Sequence, residues 1–263
     1  MALRIAAIVP HTPILLAARE DENFAPRTVE ALQQLNNALV FSDVDVVARV
    51  SPHGLSLPKA AVLNVAETYH GDLEQFGDLQ TNFTVRGTPA LAQRLTERLA
   101  GTLPIQQVTD PELDFDATIP LLFLPETRDK RFLIVHPPLD DFELAFELGR
   151  ALRETLDQET SRIILCASAD LSSRHGEKSP AGYSPRSVAF DVAVQQCFEE
   201  RTFRKMLTLD PELIKDAGSC GFATLLTLAG VLDGMHGIET ILTAYEVCEG
   251  TGLLTAGFAL HAA

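Results

Sequence analysis

Leu3-Arg-Ile-Ala-Ala-Ile-Val-Pro-His-Thr-Pro13 and Val46-Val-Ala-Arg-Val-Ser-Pro-His-Gly54 decide how this chain is read. Each is an apolar run that meets a proline and then a histidine, Pro10 before His11 and Pro52 before His53. Proline offers no N–H to a β-ladder, so each run reads as a strand that stops just short of an imidazole. A segment of helical period at 28–39 lies between the two, which makes a strand–helix–strand unit with parallel strands. Both histidines then leave the sheet at its carboxyl edge, where open α/β sheets place their ligands. Gly54 permits close backbone approach beside the second.

Working outward, strands are expected at 3–9, 44–50, 60–65, 118–124, 131–135 and 162–167, all runs rich in Val, Ile and Leu. Ala145, Leu148, Leu152 and Leu156 form a helical stripe after an acidic first turn at Asp140 and Asp141. A second helix starts near Pro185 with Ser184 as its N-cap, and a third, from about Cys220 to Leu232, is apolar nearly all round and therefore buried. Runs at 238–245 and 253–260 read as two final strands joined by a glycine-bearing turn. The expected fold class is α/β: one domain over 1–263, with a central mixed, mainly parallel sheet flanked by helices.

The 263 residues carry 21 Lys plus Arg against 36 Asp plus Glu, a formal net charge of -15. That balance repels phosphate backbones and anionic lipid, so neither nucleic acid nor a membrane surface is an expected partner. No apolar stretch approaches the roughly 20 residues needed to span a bilayer. Cys166, Cys197, Cys220 and Cys248 lie far apart with no CxxC pair, which points to a reducing, cytoplasmic setting rather than a disulfide framework.

Two neutral imidazoles converging on one point suit Fe, Zn or Cu, and a carboxylate would complete the facial triad of non-haem Fe(II) oxygenases. The competing reading is that each histidine caps a strand and bonds a nearby carbonyl. His136 repeats the strand-then-histidine pattern, which leaves two readings, a place facing the same crevice or a surface or subunit role, of which the second is expected. His70, His236 and His261 are ordinary surface candidates, and Tyr183 marks a structural turn.

The VPHTP at 9–13 and the SPHG at 51–54 resemble the paired metal-histidine motifs of class III extradiol dioxygenases. Ile119-Pro-Leu-Leu-Phe-Leu124 resembles a strand that follows an Asp-His-Gly motif in that family. Ser168-Ala-Asp-Leu-Ser172 and Pro180-Ala-Gly-Tyr-Ser-Pro185 resemble its Ser-Gly-Asp-Leu-Ser-His loop and the stretch that follows. Cys220-Gly-Phe222 resembles the start of a helix bearing a Glu-Cys-Gly motif. The resemblance covers nearly the whole chain. It implies an Fe(II) site with two His and one Glu, a small aromatic substrate of catechol or aminophenol type cleaved with O2, a further histidine as acid/base, and assembly as a homodimer or with a second subunit.

Three positions depart from that pattern. Phe115 stands where the family has the histidine of Asp-His-Gly, and Ser173 where it has the loop histidine, leaving His175 two residues on as a substitute acid/base only if the loop is re-routed. Ser219 stands where the ligand glutamate is expected. Cys220 is then the nearest strong donor, as in Memo-type relatives with cysteine in the ligand set, and a His11, His53, Cys220 site favours Zn or Cu over Fe(II). Alternatively Cys220 is a small buried filler and Ser219 a helix N-cap. Asp170 either organises its loop or orients a metal ligand from behind. Two functions stay open: a ring-cleaving metal dioxygenase with a remodelled acid/base set, or a catalytically silent relative acting as a subunit or a metal- or ligand-binding protein.

Overall fold

Strands that are apolar at nearly every position need cover on both faces. In the computed structural model, which describes residues 1–261 except 178 and 180, they have it. In chain order the elements are β1 (Leu3–Val9), α1 (Pro26–Ser42), β2 (Val46–Val50), β3 (Ala61–Asn64), β4 (Thr68–Leu73), β5 (Asp78–Gly87), α2 (Pro89–Leu99), β6 (Ile105–Val108), α3 (Phe115–Phe123), β7 (Arg131–His136), α4 (Phe142–Leu156), β8 (Ile163–Ser168), α5 (Ser187–Glu199), α6 (Pro211–Ala217), α7 (Phe222–Leu232), β9 (Ile238–Cys248) and β10 (Thr251–Leu260), with short 3₁₀ turns between some of them. They form one α/β domain around a mixed ten-stranded sheet whose main path runs β4-β5-β7-β2-β8-β1-β10-β9.

The strands β7, β2, β8 and β1 at its centre are mutually parallel. β1 and β2 are not neighbours, because β8 lies between them, but each pairs with β8 in parallel. The pleat sends alternate residues of β1 into different cores. Ala6 and Ile8 join α2, α4 and α7 on one face, while Ile5, Ala7 and Val9 join α1 and α3 on the other. β9 and β10 close the chain as an antiparallel hairpin.

The Ala145, Leu148, Leu152 and Leu156 stripe is buried in α4, and Asp141 Oδ1 caps that helix by accepting from the Leu144 N–H at 3.0 Å. Every residue of α7 is buried. Three local expectations are corrected. The 118–124 run is helix, not strand: Asp114 accepts from the Phe115 N–H at its start, and an apolar run this short has no periodicity to separate the two states. The helix near Pro185 starts later, at Ser187, with Arg186 in the cap position, and Ser184 Oγ accepts from the Arg186 N–H instead. Ser219 is not the cap of α7, a place held by Gly221; its hydroxyl donates to the Asp170 carbonyl at 2.9 Å. Pro180 of the 180–185 motif lies outside the described residues. Among those described, no helix is long and apolar enough to cross a membrane.

Candidate metal centre

β1, β8 and β2 end side by side, Val9 opposite Ser168 and Val50 opposite Ala167. The residues that follow them therefore share one crevice at the carboxyl edge. His11 Nε2 and His53 Nε2 lie 3.2 Å apart there. Cys220, from the turn that leads into α7, brings its Sγ to 3.3 Å from His11 Nε2. Among the described residues these three form a group of ligand atoms all within 4.8 Å of one another. Two imidazoles and a sulfur at that spacing can close on a single ion. Cys220 is exposed as a residue, with its sulfur turned in toward His11, and so is not a core filler.

His11 is 1% exposed. Burial drives its pKa down to about 3, against a raising influence from Asp116, so the ring is neutral and free to donate a lone pair. The main chain holds it from behind, its N–H donating to Asp170 Oδ1 at 3.0 Å, while Asp170 Oδ2 lies 3.7 Å from His11 Nε2. That contact serves both readings of Asp170, since it ties the loop after β8 to the main chain of His11. Burial also pushes the Asp170 carboxyl up to about 7. The Cys220 thiol is pushed up to about 12, first by the protein packed around its sulfur and then by the carboxylates of Asp170 and Asp116. A coordinated ion reverses that preference outright, because a metal-bound thiol is a thiolate.

The positions where acid/base groups were sought hold something else. The Phe115 ring sits 4.7 Å from that of His53 and 5.9 Å from that of His11, centroid to centroid, and Phe76 packs on its far side at 5.5 Å. It walls the centre with hydrocarbon. Ser173 spends its hydroxyl on the Gly218 carbonyl at 2.8 Å. His175 is engaged elsewhere: its Nε2 lies 2.7 Å from Asp191 Oδ2, which also accepts from the Tyr245 hydroxyl at 2.8 Å. Glu249 is an exposed residue of the β9–β10 turn. His70, His236, His261 and Tyr183 are exposed, as expected.

His136 is a correction. It ends β7 beside β2 and is 5% exposed, with its ring against Gly54: a Cβ there would meet His136 Cε1 at 3.1 Å. The same strand-then-histidine rule that picks out His11 and His53 applies to it, and the structure follows that rule. Residues not foreseen at all lie beneath the centre: Arg49, Asp116, Ser168 and Ser51, all buried. Ser51 Oγ donates to Asp116 Oδ2 at 2.7 Å and accepts from the His53 N–H at 3.3 Å. A cleft of about 520 Å³ adjoins the centre, walled in part by Gly54, Leu55 and Phe115, a size that accommodates a small molecule.

The parallel centre of a mixed sheet, with two imidazoles and a sulfur gathered at its carboxyl edge, defines an α/β protein with a cluster of potential metal donors. The model of the catalytic LigB subunit of aromatic ring-opening dioxygenase matches residues 5–259, and the chain belongs to that family. It is 23% identical to the Clostridium acetobutylicum protein CA_C1420 over 267 residues, which is 96% of this chain and 56% of that protein. The chain thus spans about half the length of the curated relative it matches. The crystal structure of the uncharacterized protein JW3007 from Escherichia coli K12 superposes with a TM-score of 0.66 at 20% identity, covering 98% of this chain and 100% of that one, a likeness of fold.

Proposed function

We propose that this chain is a metal-binding member of the ring-opening dioxygenase family that holds one Cu(I) or Zn(II) ion through His11 Nε2, His53 Nε2 and Cys220 Sγ. The observation that carries the reading is the third donor: Cys220 Sγ stands 3.3 Å from His11 Nε2, nearer than the Asp170 carboxylate at 3.7 Å, whose other oxygen accepts from the His11 N–H. Thiolate with imidazole suits Cu(I) and Zn(II), whereas the facial triad of Fe(II) oxygenases needs a carboxylate in that place. Phe115 and Ser173 support the same reading, since neither can take up or deliver a proton near neutral pH. The bound ion would supply Lewis acidity with a coordination position left for a small ligand. Around it, His11 enters neutral, Asp170 fixes the His11 main chain, and the Phe115 ring packs against that of His53.

Membership of a family described as dioxygenase supports a second reading, an Fe(II) enzyme that opens a catechol-like or aminophenol-like ring with a remodelled proton path. Metal analysis after anaerobic loading with Cu(I), Zn(II) and Fe(II), followed by a panel of catechols and aminophenols under air, separates the two. Tight one-to-one binding of Cu(I) or Zn(II) with no coloured ring-fission product is the expected result. Turnover by the Fe(II)-loaded chain would establish the second reading, and no metal at any loading would remove both.

Uptake of Zn(II) at pH 7 is expected to release about one proton per ion. It comes chiefly from Cys220, protonated in the free chain, with a further fraction from Asp170, whose carboxyl is pushed up to about 7 beside His11, while neutral His11 contributes none. Calorimetry in buffers of different ionisation enthalpy measures that number, and a value near zero would take Cys220 out of the ligand set.

A further inference from the structure

We infer that Ser168 fixes the tautomer of His11, with Arg49 and Pro120 fixing Ser168 in turn. Ser168, the last residue of β8, is fully buried, and its Oγ has three polar neighbours: Arg49 Nη2 at 3.0 Å, the Asp116 carbonyl oxygen at 2.9 Å and His11 Nδ1 at 3.0 Å. A hydroxyl has one hydrogen to give and two lone pairs to receive. Guanidinium can only donate and a carbonyl can only accept, so Arg49 takes one lone pair and the hydrogen goes to Asp116. His11 Nδ1 must then be the donor, N–H toward Ser168 Oγ. In the alternative, with the hydroxyl donating to Nδ1, two oxygens face each other at 2.9 Å with no proton between them. Only the first arrangement satisfies all three contacts, and it leaves the lone pair of His11 on Nε2, the atom nearest His53 and Cys220.

The Asp116 carbonyl is available because of a proline. In α3 its ordinary helical partner is the N–H of the residue four positions on, which is Pro120, and proline has none. The freed oxygen accepts from both Ser168 and Arg49. A proline inside a short helix, otherwise a cost to stability, thereby gives Ser168 its orientation. Arg49 sits four residues before His53 on β2 and is 3% exposed, so the cation and the second histidine are carried to the crevice by the same strand. The tautomer is a property of the metal-free chain; its consequence, a His11 ready to ligate without proton rearrangement, rests on the metal-centre reading.

The test is long-range proton–nitrogen correlation NMR of the full chain stripped of metal by a chelator, with the His11 signals identified by their loss in His11→Gln. The expected native spectrum has the proton on Nδ1, opposite to the Nε2–H form that a free histidine side chain prefers. Ser168→Ala is expected to move the proton to Nε2 and to weaken Zn(II) binding by about 10–100-fold, while Ser168→Thr, which keeps the hydroxyl, retains the native tautomer. A native Nε2–H form overturns the inference, as does a Ser168→Ala variant with both tautomer and Zn(II) affinity unchanged. If Ser168→Ala does not fold, the native spectrum alone decides. An Nδ1–H form in a chain that takes up no metal upholds the tautomer assignment and sinks the metal centre, so the two failures are distinguishable.

Discussion

His11→Ala is expected to abolish one-to-one metal binding, with at least a 100-fold loss of affinity for Zn(II) or Cu(I). His11 Nε2 is the hub of the group, within 3.3 Å of both other donor atoms. Removing a partner behind a ligand typically costs 10–100-fold, and removing the hub ligand costs more. The buried alanine also leaves a void beside Ser168 and Asp170, so a lowered melting temperature is expected as well. Cys220→Ser is therefore the cleaner companion, because Cys220 lies in the exposed turn before α7 and its sulfur contacts His11 Nε2. It should keep the fold and the melting temperature of the metal-free chain while losing the preference for soft ions. Competition with a chromophoric chelator reads both variants. If neither changes stoichiometry or affinity, the ion, if any, binds elsewhere.

The second large effect is on stability, at the contact of α4 with α7. A Cβ at Gly149 would fall 1.9 Å from the Thr227 carbonyl oxygen, and one at Gly230 would fall 2.0 Å from that of Phe146. Both obstacles are main-chain atoms of a packed helix and cannot turn aside. On propensity alone, glycine to alanine inside a helix gains about 1 kcal/mol. Here geometry decides the sign. The two helices must separate, and each carries core residues, among them Phe146, Leu148, Leu225 and Leu228, all fully buried. Gly230→Ala is expected to cost about 3 kcal/mol and Gly149→Val more, the upper range for a single substitution. At about 2–4 °C per kcal/mol for a domain of this size, Gly230→Ala should lower the melting temperature by roughly 10 °C. A melting temperature within a degree or two of the parent would show that the helices do not meet at these glycines. α7 also follows directly on Cys220, so the same substitution is expected to loosen metal binding, which the chelator competition reports in parallel.

Much of this was legible in the chain because it rests on local chemistry. A proline after an apolar run ends a strand wherever it occurs, which placed His11 and His53 at strand ends, and the 3.6-residue stripe in α4 needed no partner to be seen. The strand expected at 118–124 is a helix because an apolar segment with both faces buried carries no period, and only the Asp114 cap and the neighbouring strands select helix. β4, β5, β6 and α2 are not among the expected elements, although Leu91, Ala92, Leu95 and Leu99 do make a buried helical stripe. The surface role expected of His136 fails because burial is a property of the whole sheet, not of the tripeptide around it.

By itself, then, the sequence determined an α/β chain of this family with two imidazoles at the carboxyl edge of a parallel sheet, because strand termination and helix period act over a few residues. The tertiary structure alone decided what those imidazoles meet. β8 had to insert between β1 and β2 to set Ser168 and Asp170 behind His11, and the turn before α7 had to return 209 residues later to bring Cys220 to His11. Contacts made over such separations depend on strand order and helix packing, which no local pattern encodes.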